Sequence, residues 1–196
     1  MMKGVGVRTT ERRMSRELTQ ETTLEAAERL AGIDGIASLS LKRLADEAGV
    51  STMVIYSRFG DRYGLEEALL HRATDSLTDV VGATGSPGDV SVENCCVAIR
   101  EWAHSNPARF SMLFLTSHLL DTGLHDMARQ SARAAAKVVA TQVGWQDDDD
   151  SRAMSLIAAL VGFLGFELRG ELPGNTAEAF TRLARSLASL HTTSHR

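Results

Sequence analysis

Between Ser40 and Arg62 the chain gathers side chains that can engage phosphate oxygens and base edges: Ser40, Lys42, Ser51, Thr52, Met53, Val54, Tyr56, Ser57, Arg58 and Arg62. Thr52 can hydrogen-bond a base edge or a phosphate, and Met53 or Val54 can pack on a thymine methyl group. Ser40, Lys42 and Arg62 suit phosphate contacts, which fix register without reading sequence. Tyr56 suits the same role, or that of a core aromatic with an exposed hydroxyl. Ser51 and Ser57 add hydroxyls, and Arg58 would reach a guanine only by swinging round.

Such residues act together only if short helices hold them at a surface. Leu41, Leu44, Ala45 and Ala48 recur at i, i+3, i+4 and i+7, one apolar stripe on a helix. Ser40 stands where an N-cap belongs and Gly49 where a C′ glycine belongs. Ser51 can cap a second helix with Val54, Ile55 and Phe59 inward, and Asp61 a third whose first amides would face a phosphate backbone. So short a turn makes the first two helices cross steeply. That is the layout of a helix-turn-helix, whose second helix enters the major groove of double-stranded DNA.

The residue detail resembles the TetR family of bacterial regulators. Their pattern is a Ser/Thr-started helix, Ile/Leu-Ala, Ala-Gly-Val-Ser, then Leu-Tyr-x-His-Phe-x-x-Lys-x-x-Leu. Here stand Ser40, Leu44-Ala45, Ala48-Gly49-Val50-Ser51, Ile55-Tyr56-Ser57-Arg58-Phe59, Arg62 and Leu65, with every spacing kept. Ile55, Arg58 and Arg62 depart from the pattern; Arg62 keeps a cation where the family has lysine. The resemblance favours a phosphate contact for Tyr56. It implies a regulator, expected to be a repressor, that binds a palindromic operator as a homodimer.

Composition agrees with an all-α protein of about nine helices. The 196 residues are 43% hydrophobic but only 5% aromatic, with three prolines. The net charge of −4 looks wrong for a DNA binder until it is divided. Residues 1–65 hold ten Lys/Arg against nine Asp/Glu, and residues 66–196 eleven against sixteen. A compact head needs only a few well-placed cations. Cys95 and Cys96 are neighbours and cannot form an unstrained disulfide, so packed thiols in a reducing cytoplasm are expected, with a thiol-reactive sensor as the minor reading. No signal peptide is evident, and the apolar run Met154–Leu168 is shorter than a membrane span. A soluble cytoplasmic protein with no membrane partner follows. No Gly-rich phosphate loop, GxSxG elbow or HExxH motif occurs, so neither an enzyme nor a cofactor is expected. Asp147–Asp150 are read as complementing a helix dipole rather than holding a metal.

Three regions are expected: a basic flexible arm over 1–17, a three-helix DNA-binding domain over 18–64, and a larger helical domain over 65–196. The first helix should start near Thr19. Leu65, Leu69, Ala73, Leu77 and Val80 should line the fourth helix, and Met127, Ala134, Val138 and Val139 the inward side of a helix over 123–143. From Met154 to Leu168 only Ser155 and Glu167 are polar, so this eighth helix must be covered on more than one side. With the ninth helix it should form a four-helix bundle between two subunits, through Ala158, Gly162, Gly165, Phe180, Leu183 and Leu187. The alternative is a single-chain bundle that buries the eighth helix centrally.

Trp102-Ala-His-Ser-Asn-Pro107-Ala-Arg-Phe110-Ser-Met-Leu-Phe114 looks like the C-terminal region of one TetR subgroup, which implies a ligand-binding and dimerisation domain. Trp102, Phe110, Phe114 and Phe163, with His118 or His125 as polar groups, are candidates to line a site for a small apolar or amphipathic effector. Core packing is the competing reading for each aromatic. Release of DNA by that ligand completes the expected function. The alternative is a helical dimer that binds a ligand or protein partner without specific DNA binding.

Overall fold

Helix-favouring residues dominate this sequence, and the described residues are mostly helical. The computed structural model describes residues 5–34, 38–115, 122–145 and 150–192. Among them are nine α-helices and no strand: α1 (Val5–Asp34), α2 (Leu41–Ala48), α3 (Thr52–Phe59), α4 (Arg62–Gly82), α5 (Val92–Ser105), α6 (Pro107–Phe110), α7 (Thr122–Val143), α8 (Asp150–Leu168) and α9 (Thr176–Thr192). A π turn, Ser111–Leu115, continues α6. The chain divides into two compact units, one up to Leu69 and the other from Leu70. Helix α4 runs through the division; its 21 residues extend roughly 30 Å at 1.5 Å per residue.

The first unit is built on α1, α2 and α3. Helix α1 begins at Val5 rather than near Thr19, so the basic stretch of residues 5–17 is helical in backbone. Apolar periodicity signals burial, not helicity, and Ser15–Leu18 are exposed. The buried side begins at Thr23 and continues through Leu24, Ala26, Ala27 and Leu30. Leu44 and Ala45 of α2 and Ile55 and Phe59 of α3 complete this core. Gly49 ends α2 at φ 65°, ψ 30°, the left-handed conformation that glycine adopts without a Cβ penalty. Ser51 then accepts a hydrogen bond from Val54 N at 3.3 Å and starts α3. Ser40 precedes α2 with extended backbone but makes no side-chain cap.

The second unit packs α5 against α8 and α9, α7 against α8, and the π turn against α7 and α8. In α4 the expected Leu65, Leu69, Ala73 and Leu77 are buried, together with Glu66 and Leu70, but the stripe ends on Val81 while Val80 is exposed. Each four-residue step turns the buried line about 40° round the helix, so it winds onto Val81 rather than Val80. In α7 the buried set is Leu124, Ala128, Ser131, Ala135, Ala136, Val139 and Gln142. Met127, Ala134 and Val138 lie beside that stripe, half-buried.

Gln142 Nε2 donates to Gly82 O at 2.9 Å, joining the C-terminal ends of α7 and α4. The following loop returns to the same place, with Gly88 N and Val90 N both donating to Gln142 O. Gly144 sits here at φ 77°, and a Cβ on it would come within 3.1 Å of Gly88 Cα.

The apolar stretch of α8 is longer than the Met154–Leu168 run suggests: Ser151–Leu168 reaches the length and composition of a membrane-crossing helix. In this fold Leu156, Ile157, Leu160 and Leu164 are buried, while Ala158, Gly162 and Phe166 face outward. Asp147–Asp149 lie outside the described residues.

Candidate nucleic-acid interface

Helix α3 has two faces set by its local sequence. Ile55 and Phe59, four residues apart, are 1% and 9% exposed and hold the helix to the core. Thr52 and Tyr56, and Met53 and Ser57, share that spacing on the opposite face, and all four are exposed. Met53 is 74% exposed and Tyr56 50%, a large apolar and aromatic surface for one short helix. Val54 lies between the faces, half-buried.

Two hydroxyls of the candidate set already have partners. Ser51 Oγ caps α3, and Ser57 Oγ donates to Val54 O at 2.9 Å. Ser40 and Lys42 are exposed at and just inside the start of α2.

The cations differ. Arg58 is half-buried, with its Nε out of solvent and without a hydrogen-bond partner among the described residues. A buried donor without a partner is unfavourable, and rotation of the side chain outward would satisfy it. Arg62 donates from Nη1 to Leu39 O at 3.1 Å and from Nε to Glu66 Oε1 at 2.7 Å. Its side chain remains 44% exposed. Asp61 caps α4 through Gly64 N at 2.9 Å, leaving the exposed Tyr63 in the first turn. Glu66 and Tyr63 were not among the residues singled out by sequence. A glutamate beside Leu65 in a helix stripe was the available signal for Glu66.

In the second unit the described candidate ligand residues are placed as follows. Trp102 is 3% exposed, and its indole N–H donates to Ser76 Oγ at 2.9 Å. Phe110 and Phe114 pair with ring centroids 5.4 Å apart. Phe163 pairs instead with Phe180 at 5.7 Å, and Arg100 lies over the Phe180 ring at 4.7 Å. His125 is half-buried on α7, and His118 lies outside the described residues. Among the described residues no three His, Cys, Asp or Glu side chains are grouped to hold a metal ion.

Of the residues expected at a subunit contact, Ala158 and Gly162 are exposed on α8, and a Cβ on Gly162 would meet nothing within 4 Å. Gly165 faces inward against Leu115. Phe180 and Leu187 are buried and Leu183 half-buried. The stripe of α9 therefore covers its own α5 and α8 first.

Glu167, the lone charge between Met154 and Leu168 of α8, is buried with a side chain 4% exposed. Burial raises its carboxyl pKa, but hydrogen bonds from Arg100, His104 and Thr176 and the charge of Arg100 outweigh this and hold it at about 2. Cys95 and Cys96 are free and buried. Burial raises both thiols, Cys96 to about 12 with help from Cys95 and Glu93, while Thr84 acts in the opposite direction on Cys95.

The sequence matches two families, each over one part of the chain. Residues 24–69 match the family described as bacterial regulatory proteins, tetR family. Residues 92–187 match the tetracyclin repressor-like, C-terminal domain. No curated protein matches the sequence. Among solved structures the chain is similar to a TetR-family transcriptional regulator from Streptomyces coelicolor, at 20% identity and TM-score 0.72 over 91% of this chain and 82% of that one. It is similar to a TetR-like transcriptional regulator from Rhodococcus sp. RHA1, at 16% identity and TM-score 0.64 over 90% and 96%. The multidrug binding protein EbrR, complexed with imidazole, is 22% identical with TM-score 0.66 over 86% and 88%. At these identities the likeness is one of fold.

Proposed function

Because this chain belongs to the TetR family of bacterial regulatory proteins, we propose that it is a repressor acting from the cytoplasm, which binds a palindromic operator as a homodimer and leaves it when a small molecule binds the second unit. The observation that carries the DNA-binding part is α3. Its buried Ile55 and Phe59 oblige Thr52, Met53, Tyr56 and Ser57 to face solvent on a short helix behind a tight Gly49 turn.

Thr52, Met53 and Val54, at the N-terminal end of that helix, read base edges. Ser40, Lys42, Tyr56 and Arg62 hold phosphates, and Arg58 adds a cation by turning outward. Ser51 serves chiefly through the cap that sets the start of α3. Two such heads in a two-fold dimer meet major grooves one or more helical turns apart, each turn about 34–36 Å.

The dimer contact uses the outward face of α8, where Ala158, Gly162 and Phe166 leave room and apolar surface. Leu183 of α9 extends it, while Gly165, Phe180 and Leu187 support it from inside. A small apolar or amphipathic effector among Trp102, Phe110, Phe114, His118, His125 and Phe163 would act by favouring the state that no longer fits the operator. The multidrug-binding neighbour of this fold supports a ligand role for the second unit.

Selection of duplexes from a random library by the full-length protein tests the reading. Enrichment of an inverted repeat, bound with strong salt dependence, is the expected result. Enrichment of no sequence would leave the alternative, a ligand- or protein-binding helical dimer.

A further inference from the structure

The first turn of α4 touches both ends of the helix-turn-helix. Arg62 holds the carbonyl of Leu39, the residue just before the start of α2's cap, at 3.1 Å. Gly64 lies against the end of α3: a Cβ built there would stand 2.0 Å from Phe59 O, so any side chain forces the two helices apart. One turn of α4 thus fixes where α2 begins and where α3 ends.

Glu66 is the unexpected member. Its side chain is only 9% exposed, and it accepts from Arg62 Nε at 2.7 Å. A carboxylate beside a cation in a unit that meets a polyanion weakens attraction, unless it is used for geometry. The guanidinium is a rigid planar fork, so holding Nε sets the direction of Nη1. Glu66 Oε1 therefore aims the donor that Leu39 O receives. Lysine in place of Arg62 has no second nitrogen fixed relative to the first.

We infer that Glu66 is a positioning residue for DNA recognition, locking the Arg62 fork on the Leu39 carbonyl and, with Gly64, setting how α2 and α3 are presented to the duplex. The inference rests on the DNA-binding reading above. It distinguishes Glu66 from a residue that merely adds stability, because the geometry it controls is needed in the folded head.

The test uses full-length protein, the duplex that the wild type selects from a random library, and an unselected duplex of equal length. Affinity is measured across salt concentrations at a temperature where circular dichroism shows each variant fully folded. Glu66→Gln should weaken the selected complex roughly tenfold, the size expected for one lost charge-assisted hydrogen bond. The salt slope should not change, because no phosphate contact is removed. The loss on the unselected duplex should be smaller, so selectivity falls. Arg62→Lys should lower selectivity too, and adding Glu66→Gln to it should cost nothing more. Unchanged binding by folded Glu66→Gln would overturn the inference, as would tighter binding with a steeper slope, which would mean that Glu66 only masks a cation. If the wild type selects no duplex, the DNA-binding reading fails first and the role of Glu66 with it.

Discussion

Glu167 and Arg100, 67 residues apart in sequence, meet in a two-pronged ion pair, with Arg100 Nη2 2.6 Å from Oε1 and Nε 3.0 Å from Oε2. His104 Nε2 stands 3.0 Å from the same Oε2, and Arg100 also covers the Phe180 ring. One carboxylate near the end of α8's apolar stretch thereby ties α8 to α5 and, through Phe180, to α9. Removing one member of a buried pair leaves the other uncompensated. Arg100→Ala should therefore lower stability by roughly 2–4 kcal/mol, measured by urea unfolding.

The pH dependence has a definite sign. The folded carboxyl of Glu167 lies at about 2 against an ordinary 4.5, so its stabilisation is fully present above 4.5 and is lost as pH falls from there towards 2. The melting temperatures of wild type and Glu167→Gln should differ most above pH 5 and draw together below pH 4. A gap that stayed constant over that interval would mean that the carboxylate is not what stabilises this site.

Gly162 gives a clean probe of association, because a Cβ there meets nothing within 4 Å among the described residues. Gly162→Glu should keep its helical spectrum and sediment as a monomer. Gly165→Glu should instead unfold or misfold, since the space beyond its Cα is held by Leu115. A Gly162→Glu protein that remains dimeric would place the subunit contact elsewhere.

Cys95 and Cys96 should resist thiol reagents in the native state. Both are fully buried with raised thiol pKa values, and the thiolate is the reactive form. Titration at pH 8 should find neither cysteine until denaturant is added. Rapid native labelling would revive the sensor reading that their adjacency raised.

Local signals were legible in the sequence where one residue carries them. Gly49 at positive φ, the Ser51 cap and the opposition of Ile55 and Phe59 to the outer face of α3 all depend on neighbours a few residues away. Helix α1 was legible only from Thr19, because an exposed helix carries no apolar stripe to mark it. Asn106 precedes Pro107 at the start of α6, yet its side chain donates back to Trp102 O instead of capping α6. The Arg62–Leu39 and Arg100–Glu167 contacts span 23 and 67 residues, and nothing local encodes such distances. A lone glutamate in an apolar run announced only that some partner must exist.

The candidate DNA residues divide by what they would lose. Lys42→Ala should weaken every duplex and lower the salt slope by about 0.9, the value for one phosphate contact. Tyr56→Phe should weaken all sequences alike by about 1 kcal/mol, one hydroxyl hydrogen bond. Val54→Ala and Met53→Ala should instead change preference at particular base pairs, read out by repeating the selection with each variant.

The most direct test of the central claim is the affinity of the wild-type protein for its selected duplex, titrated across salt with stoichiometry determined in parallel. Two protomers bound per inverted repeat, with affinity falling steeply as salt rises and far exceeding that for an unselected duplex, is the predicted result. Equal, weak binding to both duplexes would contradict it, and α3 would then be a surface for something other than DNA.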